Sequence, residues 1–130
     1  MARKTVLVTG ASRGIGKATA LRCLKDGLEV IGLSTTARDD LPWPHYGVDL
    51  GNSSSKAQLQ DIITKHRPCR FVGNAGILIS GRLEDVGSAD FDRLMRINLF
   101  SLMETANLFL PVWKDEKFGR VVLILSLIHI

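Results

Sequence analysis

Short apolar segments alternate along the chain with longer amphipathic segments. Five apolar runs are short and rich in β-branched residues, which predicts β-strands at 5–9, 29–34, about 46–49, 70–73 and 120–125. The segments between them predict helices at about 15–26, from a cap at Asn52 or Ser53 to Arg67, and onward from a cap at Ser88. This alternation is typical of βαβ units and predicts an α/β fold with a parallel sheet covered on both faces.

Two segments modify this pattern. The helix after Ser88 has a wide apolar face, formed by Leu94, Ile97, Leu102, Thr105, Leu108 and Phe109. Part of this face must pack on the sheet. Either core packing or a subunit interface explains the rest. The run Pro42-Trp43-Pro44 excludes regular structure, so we expect the usual helix between the second and third strands to be short or missing. We expect Trp43 to pack on the surface, with stacking against an adenine ring as the less favoured alternative.

A glycine-rich run, 9–16, follows the first strand and leads into the first helix. Glycines let the backbone approach a ligand closely, and a helix N-terminus presents free N–H groups, so the run predicts a pyrophosphate site. A P-loop is excluded because five residues separate Gly10 from Gly16 and because Ala18, not Ser or Thr, follows Lys17.

The run has the form Thr-Gly-x-x-x-Gly-x-Gly, which resembles the cofactor motif of the short-chain dehydrogenase/reductase family. Four further landmarks of that family follow in order: Val48-Asp49-Leu50, Asn74-Ala75-Gly76 with Gly73 in place of a first Asn, Ile97-Asn98-Leu99, and Gly119-Arg120-Val121-Val122. The resemblance extends from about Lys4 to Ile124 and is greatest to the 3-oxoacyl-acyl-carrier-protein reductase type. It implies a Rossmann-like, doubly wound parallel sheet, truncated after about five strands.

The resemblance also implies the functional residues. A dinucleotide cofactor is expected on Gly10, Ala11, Ser12, Arg13, Gly14, Ile15, Gly16, Ser34, Thr35, Asp49, Leu50, Asn74, Ala75 and Gly76, with the Asp49 carboxylate accepting from the adenine amine. Asn98 corresponds to the helix Asn that holds a water in relatives, and Ser126 stands where the family places its catalytic serine. No metal site is expected.

The residues after the second strand favour NADP over NAD. An NAD site places an acidic residue there to bind the ribose hydroxyls, but 33–36 is neutral. Arg13 can bind the 2′-phosphate of NADP, and Ser34 and Thr35 can donate further hydrogen bonds. Arg38 can assist Arg13 in binding this phosphate.

The family's catalytic Tyr-x-x-x-Lys is not among the 130 residues, because Tyr46 is the single tyrosine and Leu50 stands four residues later. We therefore expect the cofactor-binding part of an oxidoreductase that transfers hydride between NADPH and a carbonyl or alcohol, with the chain itself inactive. The alternative is a non-catalytic dinucleotide-binding or sensor protein. Residues 125–130 depart from the family's small residues and glycine, so we expect the native sequence to stop near Ile124 and a non-native tail to follow.

Composition supports one domain over residues 1–130, with 45% apolar and 23% charged residues. The net charge of +4 is scattered and aromatic residues are few, so we expect no nucleic-acid partner; an anionic cofactor or a solvated surface explains the charge. We expect a cytoplasmic protein without membrane contact. The two cysteines are isolated and no signal peptide is found. The terminal apolar run has about half the ~20 residues that are needed to span a bilayer. The full-length form is expected to be a homo-oligomer acting on a small-molecule carbonyl or alcohol.

Overall fold

The computed structural model describes residues 3–125, which form one parallel sheet with helices on both faces. The elements, in chain order, are β1 (Thr5–Thr9), α1 (Gly14–Lys25), β2 (Glu29–Ser34), β3 (His45–Gly47), α2 (Ser55–His66), β4 (Arg70–Gly73), α3 (Ser88–Met95), α4 (Ser101–Glu116) and β5 (Arg120–Leu123). A 3-10 turn lies at Leu83–Asp85, and a π-helical turn at Arg96–Phe100 joins α3 to α4. In this part of the chain, no helix has the length and apolar character that crossing a membrane requires.

The strand order is β3-β2-β1-β4-β5, and every neighbouring pair is parallel. The chain leaves β1 towards β2 on one side and returns as β4 on the other. Loops that follow β1 and β4 therefore diverge, and they open a crevice at the carboxyl edge of the sheet. The predicted doubly wound α/β architecture is confirmed.

The alternation of side chains along β1 divides the core into two layers. Leu7 lies in the layer beneath α2 and α4, where Phe71 stacks on Phe109 with 5.1 Å between ring centroids. Val6 and Val8 lie in the layer beneath α1. Both faces of the sheet are covered over β1, β2 and β4, as these continuous apolar strands require, whereas β5 is exposed.

The predicted long helix is interrupted. α3 ends at Met95, and the π-helical turn inserts an extra residue before α4 begins at Ser101. The insertion is visible in the sequence, because the apolar residues Ile97 and Leu102 are five positions apart, whereas neighbouring residues on one face of a regular helix are three or four positions apart. Both side chains are buried in spite of that step.

Two predicted helix caps are wrong. The N-cap of α2 is Ser54 rather than Asn52 or Ser53, because the Asn52 carboxamide accepts the Ser54 N–H at 3.0 Å and closes a turn before the helix. The N-cap of α3 is Gly87, whose backbone is extended, and Ser88 is already helical. Strands β3 and β5 are also shorter than predicted.

The prediction of a surface position for Trp43 is wrong as well. Trp43 is only 5% exposed and belongs to the core layer beneath α1. The reason is Gly32 on β2, where a Cβ atom would overlap the indole. Residues 35–44 contain no helix, as the two flanking prolines predicted.

Candidate functional site

A cavity of about 560 Å3 opens at the carboxyl edge of the sheet, where the loops after β1 and β4 diverge. Loops from four strands and two positions of the α3 helix region line it. The lining residues are Gly10, Ser12, Arg13, Gly14, Ile15, Leu33, Ser34, Thr35, Thr36, Arg38, Val48, Asp49, Leu50, Asn74, Ala75, Gly76, Ile77, Arg93 and Ile97. Twelve of the fourteen predicted cofactor residues are in this set, and the two others, Ala11 and Gly16, lie directly behind it.

Ala11 and Gly16 shape the glycine loop rather than line the cavity. Ala11 is fully buried, and its N–H donates to the carbonyl of Leu33 at 3.0 Å, which ties the loop to β2. A Cβ atom on Gly16 would overlap the Gly10 carbonyl oxygen, and Gly10 itself has a φ of +67°. The loop can therefore turn this sharply only with glycine at both positions, which leaves an open cradle above α1.

The cradle ends on the N-terminus of α1. Arg13 is the N-cap residue, its backbone is extended, and no side chain caps the first turn. Gly14 and Ile15, whose N–H groups have no partner within a helix, line the cavity. Free N–H groups and the positive end of the helix dipole suit an anionic ligand, so the residues present fit a pyrophosphate.

Thr9 joins the glycine loop to the loop after β4. Its hydroxyl oxygen accepts the N–H groups of Asn74 at 2.9 Å and Ala75 at 3.0 Å, while the Asn74 carboxamide donates to the Gly10 carbonyl at 3.3 Å. Thr9 is 1% exposed. Sequence reasoning did not include it among the site residues, although the threonine that opens the glycine motif was the available signal.

Asn98 lies on the π-helical turn and holds the same region from the other side. Its Oδ1 accepts the N–H of Ile77 at 2.8 Å, and its Nδ2 donates to the Ile77 carbonyl at 2.9 Å. Both polar atoms of the side chain are thus committed to the backbone just after Gly76. The side chain fixes the loop that follows the Asn74-Ala75-Gly76 motif.

The end of β2 forms the wall opposite that loop. Leu33, Ser34, Thr35 and Thr36 bring no carboxylate to it. Ser34 is not a free donor, because its hydroxyl lies 2.7 Å from the Thr36 carbonyl and 2.6 Å from His45 Nε2. These two hydrogen bonds within the chain therefore compete with the predicted hydrogen bond from Ser34 to the cofactor.

Two arginines lie beside this wall. Arg38 pairs with Asp40, with 2.8 Å between Nε and Oδ1, and this hydrogen bond holds the pKa of the Asp40 carboxyl below its usual value. Within residues 3–125, Arg13 makes no ion pair within 4 Å. Asp40 thus neutralises Arg38, whereas no carboxylate of the described residues neutralises Arg13 at the glycine loop.

The loop after β3 closes the remaining side. Asp49 Oδ1 accepts the N–H of Gly51 at 2.9 Å, and Leu50 is buried and supplies an apolar wall. Arg93 of α3 reaches the same corner, since its Nη1 lies 3.1 Å from the position of a Cβ on Gly51. Sequence reasoning missed Arg93, and no motif marks it.

Of the two residues expected to be catalytic, Asn98 contacts Ile77 of the cavity lining. Ser126 lies outside the described residues. Tyr46 is on β3, where its hydroxyl is 2.7 Å from His66 Nε2, and it does not line the cavity. Residues 3–125 contain no cluster of His, Cys, Asp and Glu suited to a metal ion.

The sequence model of the short chain dehydrogenases matches residues 4–43 and 45–129. The chain belongs to this family. The 3-oxoacyl-[acyl-carrier-protein] reductase of Buchnera aphidicola is 32% identical over 136 aligned residues, which cover 97% of this chain and 56% of the relative. The predicted resemblance, including the likeness to that reductase type, is confirmed.

Solved structures agree with the family assignment. The aldohexose dehydrogenase of Thermoplasma acidophilum is 30% identical with a TM-score of 0.83, over 94% of this chain and 49% of that one. A metagenomic short-chain oxidoreductase in complex with NADP is 26% identical with a TM-score of 0.86, over 98% of this chain and 63% of that one. The chain thus spans about half to three-fifths of the length of these relatives.

Proposed function

We propose that this chain is the cofactor-binding part of an NADP-dependent oxidoreductase that transfers hydride between NADPH and a carbonyl or alcohol substrate. The observation that carries the proposal is the cavity at the carboxyl edge of the sheet. It combines a glycine cradle on the N-terminus of α1 with a β2 wall that has no carboxylate. When bound, the nicotinamide ring supplies the hydride, and the chain's residues hold and orient the dinucleotide.

Each loop has a distinct part in this proposal. Gly14 and Ile15 at the helix N-terminus bind the pyrophosphate, as is general for this kind of loop. Asp49 and Leu50 bind the adenine, the carboxylate by a hydrogen bond and the leucine by apolar contact. Asn74, Ala75 and Gly76 border the ribose and nicotinamide end, and Asn98 holds their loop in place.

The preference for NADP rests on charge. A carboxylate at the end of β2 would repel a 2′-phosphate, and 33–36 has none. Arg13, at the glycine loop, makes no ion pair within residues 3–125, and it can make charge-assisted hydrogen bonds to that phosphate. The NADP in the metagenomic relative is consistent with this choice.

The test is the dissociation constant of NADPH and of NADH, measured by fluorescence titration at fixed ionic strength. We expect NADPH to bind more tightly, and Arg13→Ala to weaken NADPH binding by about 10- to 150-fold, because a charge-assisted hydrogen bond contributes about 1.5–3 kcal/mol. Arg22→Ala is the control, since Arg22 is exposed on α1 and pairs with Asp26 away from the cavity. Tighter binding of NADH would contradict the NADP preference, and an equal loss of NADH affinity in Arg13→Ala would remove Arg13 from the 2′-phosphate site.

One observation favours binding without turnover for the 130-residue chain itself. Its single tyrosine, Tyr46, is hydrogen-bonded to His66 outside the cavity, so no tyrosine hydroxyl is in place to protonate a substrate carbonyl. We therefore propose that the chain binds NADPH without oxidising it. Carbonyl-dependent loss of NADPH absorbance would contradict this, and the same measurement on Tyr46→Phe shows whether Tyr46 is the proton donor.

We further propose that the full-length form is a homo-oligomeric cytoplasmic enzyme acting on a small molecule. The free thiols of Cys23 and Cys69 fit a reducing compartment. The helical segment from α3 to α4 exposes apolar side chains suited to a subunit interface, namely Phe91, Phe100, Met103 and Leu110. Sedimentation of the full-length protein tests the oligomer.

A further inference from the structure

Three hydrogen bonds connect Trp43 to the β2 wall of the cavity. The Trp43 indole N–H donates to His45 Nδ1 at 3.3 Å. His45 Nε2 lies 2.6 Å from the Ser34 hydroxyl, and that hydroxyl lies 2.7 Å from the carbonyl of Thr36. Ser34 and Thr36 line the cavity, whereas Trp43 and His45 lie behind the wall.

The chemistry of the two ends fixes the direction of every bond between them. An indole N–H only donates, and a carbonyl only accepts. His45 Nδ1 must therefore be unprotonated and Nε2 must carry the proton, which it donates to Ser34. The Ser34 hydroxyl then has one remaining role, which is to donate to Thr36. A doubly protonated His45 would place its Nδ1–H against the indole N–H.

The surroundings of His45 favour this neutral tautomer. Burial and the nearby Arg38 guanidinium lower the pKa of His45 below its ordinary 6.5, and Asp40 acts in the opposite direction. The adjacent strand β2 contributes Gly32 and Ser34, which carry no charge. A Cβ atom on Gly32 would lie 2.6 Å from His45 Nδ1, so the glycine provides the space for the imidazole.

We propose, on the basis of the dinucleotide-binding function above, that His45 is a positioning residue: through Ser34 it fixes the turn 34–38, which forms the cavity wall at the 2′-position of the cofactor's adenosine ribose. Residues at the end of β2 meet that position in Rossmann-type sites. His45 does not touch the cofactor. It holds the Ser34 hydroxyl towards Thr36 and thereby keeps the turn in one conformation, with Arg38 on the cavity wall.

The test is calorimetric titration of the chain with NADP+ and with NAD+ at neutral pH, in wild type and three variants. We expect His45→Leu to weaken NADP+ about fivefold, the fold-change that corresponds to one net hydrogen bond, and to change NAD+ affinity less. His45→Gln keeps a neutral N–H donor and should restore most of the loss. His66→Leu is the matched control, because His66 is also part-buried and hydrogen-bonded but neither it nor its partner Tyr46 lines the cavity.

A pH profile separates this role from simple packing. Acidification through the pKa of His45 should lower the ratio of NADP+ to NAD+ affinity more in wild type than in His45→Gln. Protonation of the 2′-phosphate is common to both proteins, so the difference between them reports His45 alone. The imidazole resonance of His45, assigned by its loss in His45→Gln, should titrate below pH 6.5 in wild type and at a higher pH in Trp43→Phe.

Several outcomes would overturn the proposal. His45→Leu with both affinities within twofold of wild type, or the same loss of NADP+ affinity in His66→Leu, removes His45 from this role. If His45→Leu fails to fold, Ser34→Ala replaces it, and unchanged discrimination in Ser34→Ala has the same meaning. A wild-type chain that binds neither dinucleotide overturns the proposed function together with this inference, whereas normal NADP+ binding with no effect of the variants overturns this inference alone.

Discussion

At the residue scale, Thr9 shows how one buried hydroxyl shapes the candidate site. The Thr9 hydroxyl oxygen accepts two N–H groups from the loop after β4. Those N–H groups would otherwise lack a partner at the junction of two loops, where an unsatisfied buried donor costs about 1–3 kcal/mol. Thr9 therefore couples the stability of the fold to the shape of the cavity.

We expect Thr9→Val to lower the free energy of unfolding by about 2 kcal/mol, because it removes the acceptor of two N–H groups while keeping the side-chain volume. Urea unfolding measures the change. Thr105→Val is the matched control, since Thr105 is equally buried but its hydroxyl donates to the Ser101 carbonyl inside α4. Equal losses in the two variants would contradict the special role of Thr9.

Some residues of the candidate site could be identified from the sequence and others could not. The glycine motif, Asp49 and Asn74 were identifiable because each belongs to a short ordered motif next to a strand. The hydrogen bond of Ser34 was not, because its partner His45 is eleven residues away and meets it only through the pairing of β2 with β3. Arg93 could not be identified either, since its approach to Gly51 depends on how α3 packs against the loop after β3.

At the element scale, the helical segment from α3 to α4 combines a π-helical turn with an ion pair across it. Arg96 and Glu104 make two parallel hydrogen bonds of 2.8 Å each, from the start of the turn to the first part of α4. The turn itself contains Asn98, which holds the backbone of Ile77. The ion pair thus stabilises the helical geometry on which the position of Asn98 depends.

This arrangement predicts a pH dependence of stability. The hydrogen bonds from Arg96 lower the pKa of Glu104 from 4.5, so the carboxylate stabilises the folded state above that pH and the contribution is lost as the pH falls through the lowered value. We expect Glu104→Gln to cost about 0.5 kcal/mol at neutral pH, a value reduced for solvent screening, and nothing in acid.

Thermal unfolding across the range from neutral to acid pH measures this difference. Glu84→Gln is the control, because Glu84 pairs with Arg82 on an exposed 3-10 turn at 3.5 Å. A difference between wild type and Glu104→Gln that stays constant into acid would show that the ion pair is not its source.

The secondary-structure elements also differ in how well the sequence predicted them. The strands were predictable because apolar runs bounded by turns allow few alternatives. The π-helical turn was not predicted as such, although the five-residue step from Ile97 to Leu102 was visible, because an isolated irregular step is also compatible with a partly exposed position. Trp43 was misplaced since the space that receives it is created by Gly32, on a different strand.

At the scale of the whole molecule, the sheet has one edge that is both apolar and exposed. Among residues 3–125, β5 pairs only with β4, and Val121, Val122 and Leu123 are each more than 40% exposed. Exposed apolar edge strands promote association between chains. We expect the 130-residue chain to associate as its concentration rises.

We expect Val122→Lys to reduce that association, because a lysine on an edge strand opposes pairing with a second edge. Sedimentation velocity over a concentration series measures the effect. Leu21→Lys is the control, since it adds the same charge at an exposed apolar position on α1, far from the edge. A wild-type chain that stays monomeric at high concentration would contradict the role of β5.

We propose that the molecule as a whole is a binding site whose cavity holds NADP, with the pyrophosphate on the glycine cradle and the 2′-phosphate beside Arg13. The 31P NMR spectrum of NADP+ bound to the chain tests both contacts at once. We predict that the pyrophosphate and 2′-phosphate resonances both shift on binding, and that Arg13→Ala removes only the 2′-phosphate shift. A bound cofactor whose 2′-phosphate keeps its free resonance and titrates as in solution, or a spectrum that the chain leaves unchanged, would contradict the account.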